Sequence, residues 1–326
     1  MNFQDLKNIE TSEWYLDLAF SSAKKKSDNL RGSLRGGKHT RIEKSKKVEL
    51  EKLKTINRAI TRQLNMILRS FPSIDSLPEF YNELIRCTLE YDKLKKALGG
   101  AKWGLDKINH FTTAYATKIK RCQDLQKINA YRREYYGRIS SIMNQVNKNL
   151  LYLETARKIM KDYPSVKTET FTVCIAGFPN VGKTTLLQKV TGAKAEINEY
   201  AFTTKRLNMG YYKNDYVKIQ FIDTPGTLNR FNKMNDIEKQ AYLAIRYCAD
   251  VVVYVFDLTE PYPLSDQKKL LKSLEKFDKD TIIYLSKTDI LEKETVDAFL
   301  KKNKNVFTDK DKIMDVIQKK AQKSGY

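Results

Sequence analysis

A glycine-rich segment directly follows an apolar stretch in the second half of the chain. The apolar stretch ends at Ala176, and the segment Gly177–Thr184 has a glycine at its start and closes with Gly182, Lys183 and Thr184. Glycines let the backbone wrap so that its N–H groups face phosphates, the lysine reaches the β and γ phosphates, and the threonine hydroxyl ligates magnesium. A helix that begins near Lys183 would add its positive end. The pattern predicts a nucleoside triphosphate site.

Two further segments have side chains suited to magnesium and the γ-phosphate. Asp223 follows an apolar stretch, and a carboxylate at a strand end can hold magnesium through water, while Gly226 can offer its N–H to a γ-phosphate because it lacks a Cβ. Between the two motifs, Thr203 and Thr204 lie in a segment with little periodicity. We expect Thr204 to complete the magnesium shell in the triphosphate state, with Thr203 as the alternative.

The segment Ser286–Asp289 is predicted to recognise the base. A carboxylate at Asp289 can accept from both N1–H and N2–H of guanine, a donor pair that adenine lacks, and the stem of Lys287 can lie over the ring. Thr308 stands where a second base-contacting loop is expected. The predicted nucleotide-binding residues are Gly177, Pro179, Asn180, Val181, Gly182, Lys183, Thr184, Thr185, Asp223, Gly226, Ser286, Lys287, Asp289 and Thr308. We expect Lys183, Thr204 and Gly226 to act in catalysis.

These motifs need a sheet to position them, and residues 166–326 have the pattern of one. Short apolar stretches separated by helical patterns predict a P-loop α/β domain with a mainly parallel sheet and helices on both faces. The predicted strands are Thr170–Ala176, Tyr216–Ile222, Val251–Asp257 and Thr281–Leu285.

Residues 1–165 instead predict an all-α bundle. Apolar residues recur there at spacings of three and four, which places them on one face of a helix. Two such stripes are Leu53, Ile56, Ile60, Leu64 and Ile67, and Ile139, Ile142, Met143, Val146, Leu150 and Leu153. Helix breaks are expected at Phe71–Pro72, at Leu77–Pro78 and at the turn signal Gly99–Gly100.

Most of the positive charge also belongs to this first half. The chain has a net charge of +21, and residues 1–165 contain 33 Lys and Arg against 18 Asp and Glu. The charge is densest from Lys24 to Arg41, where glycines predict a flexible basic loop that can fit its charges to nucleic-acid phosphates. The predicted RNA-binding residues are Lys24, Lys25, Lys26, Arg31, Arg35, Lys38 and Arg41. A solvated charge run and an acidic membrane surface are the alternatives, and without an apolar signal or spanning segment we expect a cytoplasmic protein.

In order and spacing, these motifs resemble those of the translation-factor class of GTPases. Residues 177–185, 200–205 and 223–227 resemble the Obg-related group, and residues 257–267 with the basic helical half resemble the nucleolar GTP-binding protein 1 (Nog) family. The resemblance implies a magnesium-dependent GTPase that acts in large ribosomal subunit assembly and touches ribosomal RNA and neighbouring ribosomal proteins. Eukaryotic members carry a long C-terminal extension, so this chain is similar to the short archaeal form.

Two positions depart from the pattern of these GTPases. Ser286 replaces the usual asparagine and lacks the amide that can bridge to the phosphate loop or base, which predicts weaker affinity. Thr227 stands where Ras-like enzymes have the glutamine that orients water, which predicts slow turnover. A ribosomal partner can complete the site, or Asn180 can hold a potassium ion over the phosphates, as in cation-activated relatives. The alternative functions are a GTP-sensing ribosomal placeholder with negligible turnover and a membrane-surface GTPase.

Overall fold

The computed structural model describes residues 3–34, 40–192, 207–225, 236–259, 262–303 and 305–325. Within these ranges the helices are α1 (Ser12–Ser33), α2 (Arg41–Ser70), α3 (Glu79–Thr88), α4 (Tyr91–Arg121), α5 (Leu125–Lys161), α6 (Lys183–Thr191), α7 (Asp236–Tyr247), α8 (Leu264–Glu275), α9 (Lys293–Lys302) and α10 (Lys310–Lys323). The strands are β1 (Phe171–Ala176), β2 (Asn208–Lys213), β3 (Lys218–Asp223), β4 (Val251–Phe256), β5 (Asp280–Leu285) and β6 (Val306–Phe307).

The chain forms two compact units. The helical unit comprises Asn2–Ser76 and Leu89–Tyr163, and the sheet unit comprises Leu77–Thr88 and Pro164–Tyr326. The sheet unit therefore takes in α3, a segment that the sequence analysis assigned to the helical domain. The reason is local packing: α3 packs against α7, and the buried Tyr81 hydroxyl lies 3.0 Å from the carbonyl oxygen of Pro164 and 2.9 Å from that of Val166.

In the helical unit, the predicted apolar stripes form the core. Every residue of the stripe from Leu53 to Ile67 is at most 1% exposed, and the stripe of α5 from Ile139 to Leu153 is buried as well. Local capping fixes where the helices begin. Thr40 and Glu43 form a reciprocal capping box at the start of α2, and the Asp124 carboxylate accepts from the backbone N–H of Gln126 at the start of α5. The predicted bundle is confirmed.

Two local predictions in this half are wrong. The pair Gly99–Gly100 lies inside α4 and makes no turn, because this helix passes close to α5: a Cβ on Gly100 would lie 2.0 Å from the Asn149 side chain, and one on Gly104 would lie 2.7 Å from Val146 Cγ2. The expected loop from Lys24 is helical as far as Ser33. Ala23 and Ser27 are buried there, so burial on one face of α1 extends past the lysine run.

The sheet unit contains a six-stranded sheet in the order β2-β3-β1-β4-β5-β6. All neighbouring pairs are parallel except β2 with β3, which is antiparallel. Every residue of β1 and β4 is buried, as expected for central parallel strands that helices cover on both faces. The four predicted strands are confirmed within two residues at each end, whereas β2 and β6 were not predicted. Over the described ranges, none of the helices combines the length and apolarity that crossing a bilayer demands.

Candidate functional site

Four strand ends bring the predicted motifs to one edge of the sheet. Strands β1, β3, β4 and β5 are parallel, so their carboxyl ends meet at the same edge. In register, Ile175 of β1 lies opposite Asp223, and Phe256 of β4 lies opposite Leu285. The phosphate loop, the magnesium carboxylate and the base segment each begin at one of these ends. In open α/β sheets this edge is where ligands bind.

The loop between β1 and α6 has a backbone that needs its glycines. Gly177 and Gly182 have φ values of 149° and 93°, and Asn180 adopts the left-handed region at 62°. A Cβ on Gly177 would lie 2.7 Å from the carbonyl oxygen of Val255, so the loop approaches β4 more closely than any other residue permits. Val181 is buried, whereas Pro179 is half-buried and Thr185 is exposed. The wrapped backbone precedes the first turn of α6, as a phosphate cradle requires.

Lys183 closes this loop from the first position of α6. Its ammonium donates to the carbonyl oxygen of Phe178 at 2.7 Å, across the loop. Burial lowers the pKa of Lys183, and the Asp223 carboxylate opposes that shift. The lysine is 8% exposed, and the acceptor of its hydrogen bond is a neutral carbonyl oxygen. Phosphate oxygens would give the buried ammonium stronger, charged acceptors than a backbone carbonyl.

Thr184 and Asp223 form the pair expected of a magnesium site. The Thr184 hydroxyl donates to Asp223 Oδ2 at 2.6 Å, and the Asn208 amide approaches the same oxygen at 3.3 Å. The other oxygen, Asp223 Oδ1, is buried without a hydrogen-bond partner in the described part of the chain. A hydroxyl beside a carboxylate that has one oxygen without a partner offers the oxygen ligands that Mg²⁺ prefers. Phosphates and water would complete the shell. These residues fit the ion.

Ser286 links the base segment to the phosphate loop. Its hydroxyl lies 2.7 Å from the carbonyl oxygen of Val181 and 2.9 Å from that of Phe256, and it is buried. The position also lies against the loop glycine, since a Cβ on Gly182 would be 3.7 Å from Ser286 Cβ. The hydroxyl is therefore close enough to make the bridge to the phosphate loop that the missing amide would have made, and the weaker affinity stays a prediction.

Lys287 is held by a buried carboxylate at the end of β4. Its ammonium lies 2.5 Å from Asp257 Oδ2, and its backbone adopts φ 53°. Burial alone would raise the pKa of Asp257, but hydrogen bonds from Lys287 and Thr259 outweigh it and lower that pKa. Gln267, which is 2% exposed, exchanges hydrogen bonds with the backbone of Asp257. The stem of Lys287 is thus fixed across this edge of the sheet.

The other two residues that were predicted to contact the base lie at the same edge of the sheet and make fewer contacts. Asp289 is exposed in the loop after β5 and is open to a ligand. Thr308 follows β6, the neighbour of β5, and so lies at the same edge, while its contact with the base stays a prediction. The next residue, Asp309, has a structural use: its carboxylate accepts from the Asp311 amide and caps α10.

Several predicted residues lie outside the described residues. They are Thr203, Thr204, Gly226, Thr227, Arg35 and Lys38. Of the other predicted RNA-binding residues, Lys24, Lys25, Lys26 and Arg31 lie on α1, and Arg41 begins α2. Lys26 is paired with Glu51 at 2.6 Å.

Sequence reasoning missed three side chains of this site. Asn208 sits on the unpredicted strand β2, and nothing in its local pattern points to Asp223. Gln267 was named only within a stretch shared with a family, and Asp257 was named there and as the last residue of a predicted strand, both without a role. The signal for Asp257 was its place at the end of a fully apolar strand, the same position that identified Asp223.

Comparison with known families gives two matches that divide the chain. The family described as the NOG1 N-terminal helical domain matches residues 3–167. The family described as the 50S ribosome-binding GTPase matches residues 172–287. The two matches follow each other closely and together cover most of the chain.

Individual relatives agree with these matches. An uncharacterised protein of Methanocaldococcus jannaschii is 37% identical over 257 residues, which span 78% of this chain and 72% of the relative. Nucleolar GTP-binding protein 1 of Eremothecium gossypii is 31% identical, over 91% of this chain and 46% of its own length. The chain thus spans about half the length of that nucleolar relative. The G domain of the T. maritima FeoB iron transporter is 25% identical over 48% of this chain and 99% of its own, with a TM-score of 0.36.

Proposed function

The chain belongs to the nucleolar GTP-binding protein 1 family, and from that premise we propose that it is a GTP-hydrolysing switch in the assembly of the large ribosomal subunit, bound to ribosomal RNA. The observation that carries the nucleotide part is the contact between Thr184 and Asp223 at the mouth of the phosphate loop. It joins a hydroxyl and a carboxylate at 2.6 Å and leaves Asp223 Oδ1 without a partner among the described residues.

Nucleotide binding would exchange internal contacts for contacts to the ligand. Lys183 would leave the carbonyl oxygen of Phe178 for the β and γ phosphates, and the loop N–H groups would face the same oxygens. Thr184 and Asp223 would separate to hold magnesium, and a bound Mg²⁺ would supply charge neutralisation at those phosphates. On the base side, Asp289 would accept from guanine while Asp257 keeps the Lys287 stem in place.

Hydrolysis by the isolated chain should be slow. Thr227 lacks the side-chain amide with which a glutamine orients water. No described residue obviously replaces that function. Two sources of help fit the sequence. A ribosomal partner can complete the site, or Asn180, which the left-handed backbone places at the exposed tip of the loop, can hold a potassium ion near the phosphates.

A change of nucleotide state would be transmitted to the helical unit through α3. Residues 226–235, which include the predicted γ-phosphate contact Gly226, lead directly into α7, and α7 packs against α3. The chain enters α3 from the helical unit at Leu77 and returns to it at Leu89. A shift of α7 between nucleotide states would therefore act on a segment whose two ends continue into the helical unit.

Phosphate release tests the enzymatic part of the proposal. We expect slow steady-state release from the protein alone and stimulation of at least about tenfold by purified large ribosomal subunits, because the partner completes the site. Replacement of sodium by potassium tests the part assigned to Asn180, with Asn180→Ala as the control. If GTP is never turned over, even on subunits in potassium buffer, the placeholder function replaces the enzyme.

Two further expectations belong to the same proposal. Binding to large subunits but not to acidic vesicles separates the ribosomal function from the membrane-surface alternative. A cytoplasmic location stays a prediction from the sequence, whereas the matched eukaryotic proteins are named as nucleolar.

A further inference from the structure

The helical unit contains a cavity of about 540 Å³ where residues of α1, α2 and α5 meet. Its lining mixes cations, two aromatic rings and small polar residues. A cavity of this size lies within the usual range for a site that takes a small organic group. The lining residues are Phe20, Lys24, Ser27, Asp28, Arg31, Lys52, Arg132, Arg133, Tyr136, Gly137 and Ser140.

Positive charge dominates the lining. Five cations face a single carboxylate, Asp28, which pairs with Arg31 at 3.2 Å on the half-exposed rim, where such pairs are weak. Lys24 and Arg133 have no acidic partner within 4 Å among the described residues. The cavity can therefore take negative charge without first breaking a strong internal pair at these two positions.

One wall of the cavity is aromatic. The ring centroids of Phe20 and Tyr136 lie 5.0 Å apart at 56°, and we call this pair the aromatic wall. The Arg132 guanidinium lies 6.0 Å from the Tyr136 centroid. Beside the rings, Gly137 leaves open space, since nothing lies within 4 Å of an added Cβ. Aromatic rings with an arginine beside them favour a flat, electron-rich group such as a nucleobase.

A buried carboxylate positions two of the cations. Glu49 is 3% exposed, and its Oε1 lies 2.9 Å from Lys52 Nζ and 3.3 Å from Arg132 Nη1. This arrangement holds the Arg132 guanidinium next to Tyr136. The cavity thus has one fixed cation beside its aromatic wall, while Lys24 and Arg133 can turn towards a ligand.

A second basic cavity continues from the first. It has a volume of about 650 Å³, shares Arg31 and Arg132 with the first cavity, and adds Arg41 and Lys44. A single free nucleotide would leave this second row of cations unused. A nucleic acid strand carries further phosphates on either side of each base, so the continuation favours a strand over a small molecule.

We propose that the first cavity takes one RNA nucleotide that is extruded from its base stack, with the base against the aromatic wall and the adjoining phosphates along both cavities. The inference rests on the RNA binding of the proposed function, and it adds which feature of the RNA the protein recognises. A base displaced from a bulge or loop presents the flat face that the wall can contact, whereas a paired base does not. Recognition is then by shape and stacking, and Lys24, Arg31 and Arg41 anchor the strand.

The test uses the full chain and two hairpin RNAs, one with a single bulged 2-aminopurine and one fully paired. We expect the bulged hairpin to bind at least about tenfold more tightly, with a change in 2-aminopurine fluorescence on stacking. Gly137→Leu should fill the cavity without harming the helix, because its side chain enters open space. That variant should lose the preference, and Gly99→Leu, which also meets open space on α4, is the matched control.

Two further sets of variants separate stacking from charge. Phe20→Leu and Tyr136→Leu should lose the preference for the bulge, and Tyr136→Phe should keep it. Lys24→Ala and Arg133→Ala should weaken binding of both hairpins alike and lower the salt slope by about 0.7–0.9 each. Circular dichroism melting checks that each variant is folded.

Each outcome is decisive. If Gly137→Leu keeps the preference and the fluorescence change, the cavity is not the base site. If free GMP displaces the bulged hairpin at micromolar concentration, the cavity serves a free nucleotide and the assignment to RNA is overturned. If RNA binds without preference, this inference fails and the proposed function stands; if the protein binds neither hairpin nor large subunits, both fail.

Discussion

The two phosphate-binding surfaces that we propose, one in each unit, differ in construction. In the sheet unit, the phosphate loop uses backbone conformation: Gly177 and Gly182 at positive φ, the start of α6, and a lysine that is 8% exposed. In the helical unit, the cavity by the aromatic wall uses side chains from three helices, several of them exposed. A backbone cradle binds one ligand geometry tightly. A set of adjustable cations tolerates many, and its affinity depends strongly on salt.

Loss of the loop lysine should have the largest effect. Lys183→Ala removes a buried ammonium that would make charge-assisted bonds to two phosphates, each of which contributes roughly 1.5–3 kcal/mol. We expect affinity for a non-hydrolysable GTP analogue to fall at least about 100-fold, measured by titration with a fluorescent derivative of that analogue. Lys189→Ala, at an exposed position in the last turn of α6, is the matched control. RNA binding by Lys183→Ala should be unchanged; a parallel loss would show that the two surfaces are not separate.

The magnesium pair should give the next largest effect. Asp223→Asn removes the carboxylate that Thr184 contacts and the unpartnered oxygen beside it. We expect the stimulation of GTP binding by Mg²⁺ to fall about tenfold or more, measured by magnesium titration, with less change in the absence of the metal. Equal magnesium dependence in the wild type and the variant would remove this carboxylate from the metal site.

These two surfaces also differ in how well the sequence predicts them. The loop, Asp223 and Ser286–Asp289 were predictable because each follows an apolar strand, and parallel strands deliver their ends to one edge. Strand β2 was not predictable, because its burial pattern does not alternate cleanly. Asn208, which lies on this strand, was therefore missed as a residue of the site. The cavity was missed because Lys24, Lys52 and Arg133 are far apart in sequence and meet only when three helices pack.

Ser286 shows a second limit of sequence reasoning. The departure from asparagine predicted a lost bridge, but the hydroxyl lies as close to the Val181 carbonyl as an ordinary hydrogen bond requires. Residue type alone does not reveal how near the β5 end comes to the loop. In the fold the two segments are neighbours, since a Cβ on Gly182 would be in ordinary van der Waals contact with Ser286 Cβ at 3.7 Å.

Removal of the Ser286 hydroxyl tests the contact between the base segment and the phosphate loop in the sheet unit. Ser286→Ala leaves the buried carbonyl oxygen of Val181 without that donor, which should cost about 1–3 kcal/mol of unfolding free energy and weaken GDP binding several-fold. Urea unfolding and GDP titration measure the two effects. Thr288→Ala, two residues on and half-buried, is the control. An unchanged unfolding midpoint would mean that the contact contributes nothing.

A matched glycine pair on α4 tests the packing of the helical unit. Gly104→Ala would place a Cβ 2.7 Å from Val146 Cγ2, and the stiff, buried valine cannot easily yield, so we expect a loss of about 1–3 kcal/mol. Gly99→Ala meets open space and should stabilise by up to about 1 kcal/mol through helix propensity. Thermal melting of both variants measures these effects. Equal shifts of the two melting temperatures would contradict the close approach of α4 to α5.

The central claim is that one chain couples a nucleotide site in the sheet unit to an RNA surface in the helical unit. The most direct test is the affinity of the protein for purified large ribosomal subunits with a non-hydrolysable GTP analogue and with GDP, at one fixed salt concentration. Coupling between sites is typically 5–150-fold, so we expect affinities that differ by at least about fivefold, and no difference for Lys183→Ala. Equal affinities of the wild type in both nucleotide states would contradict the switch.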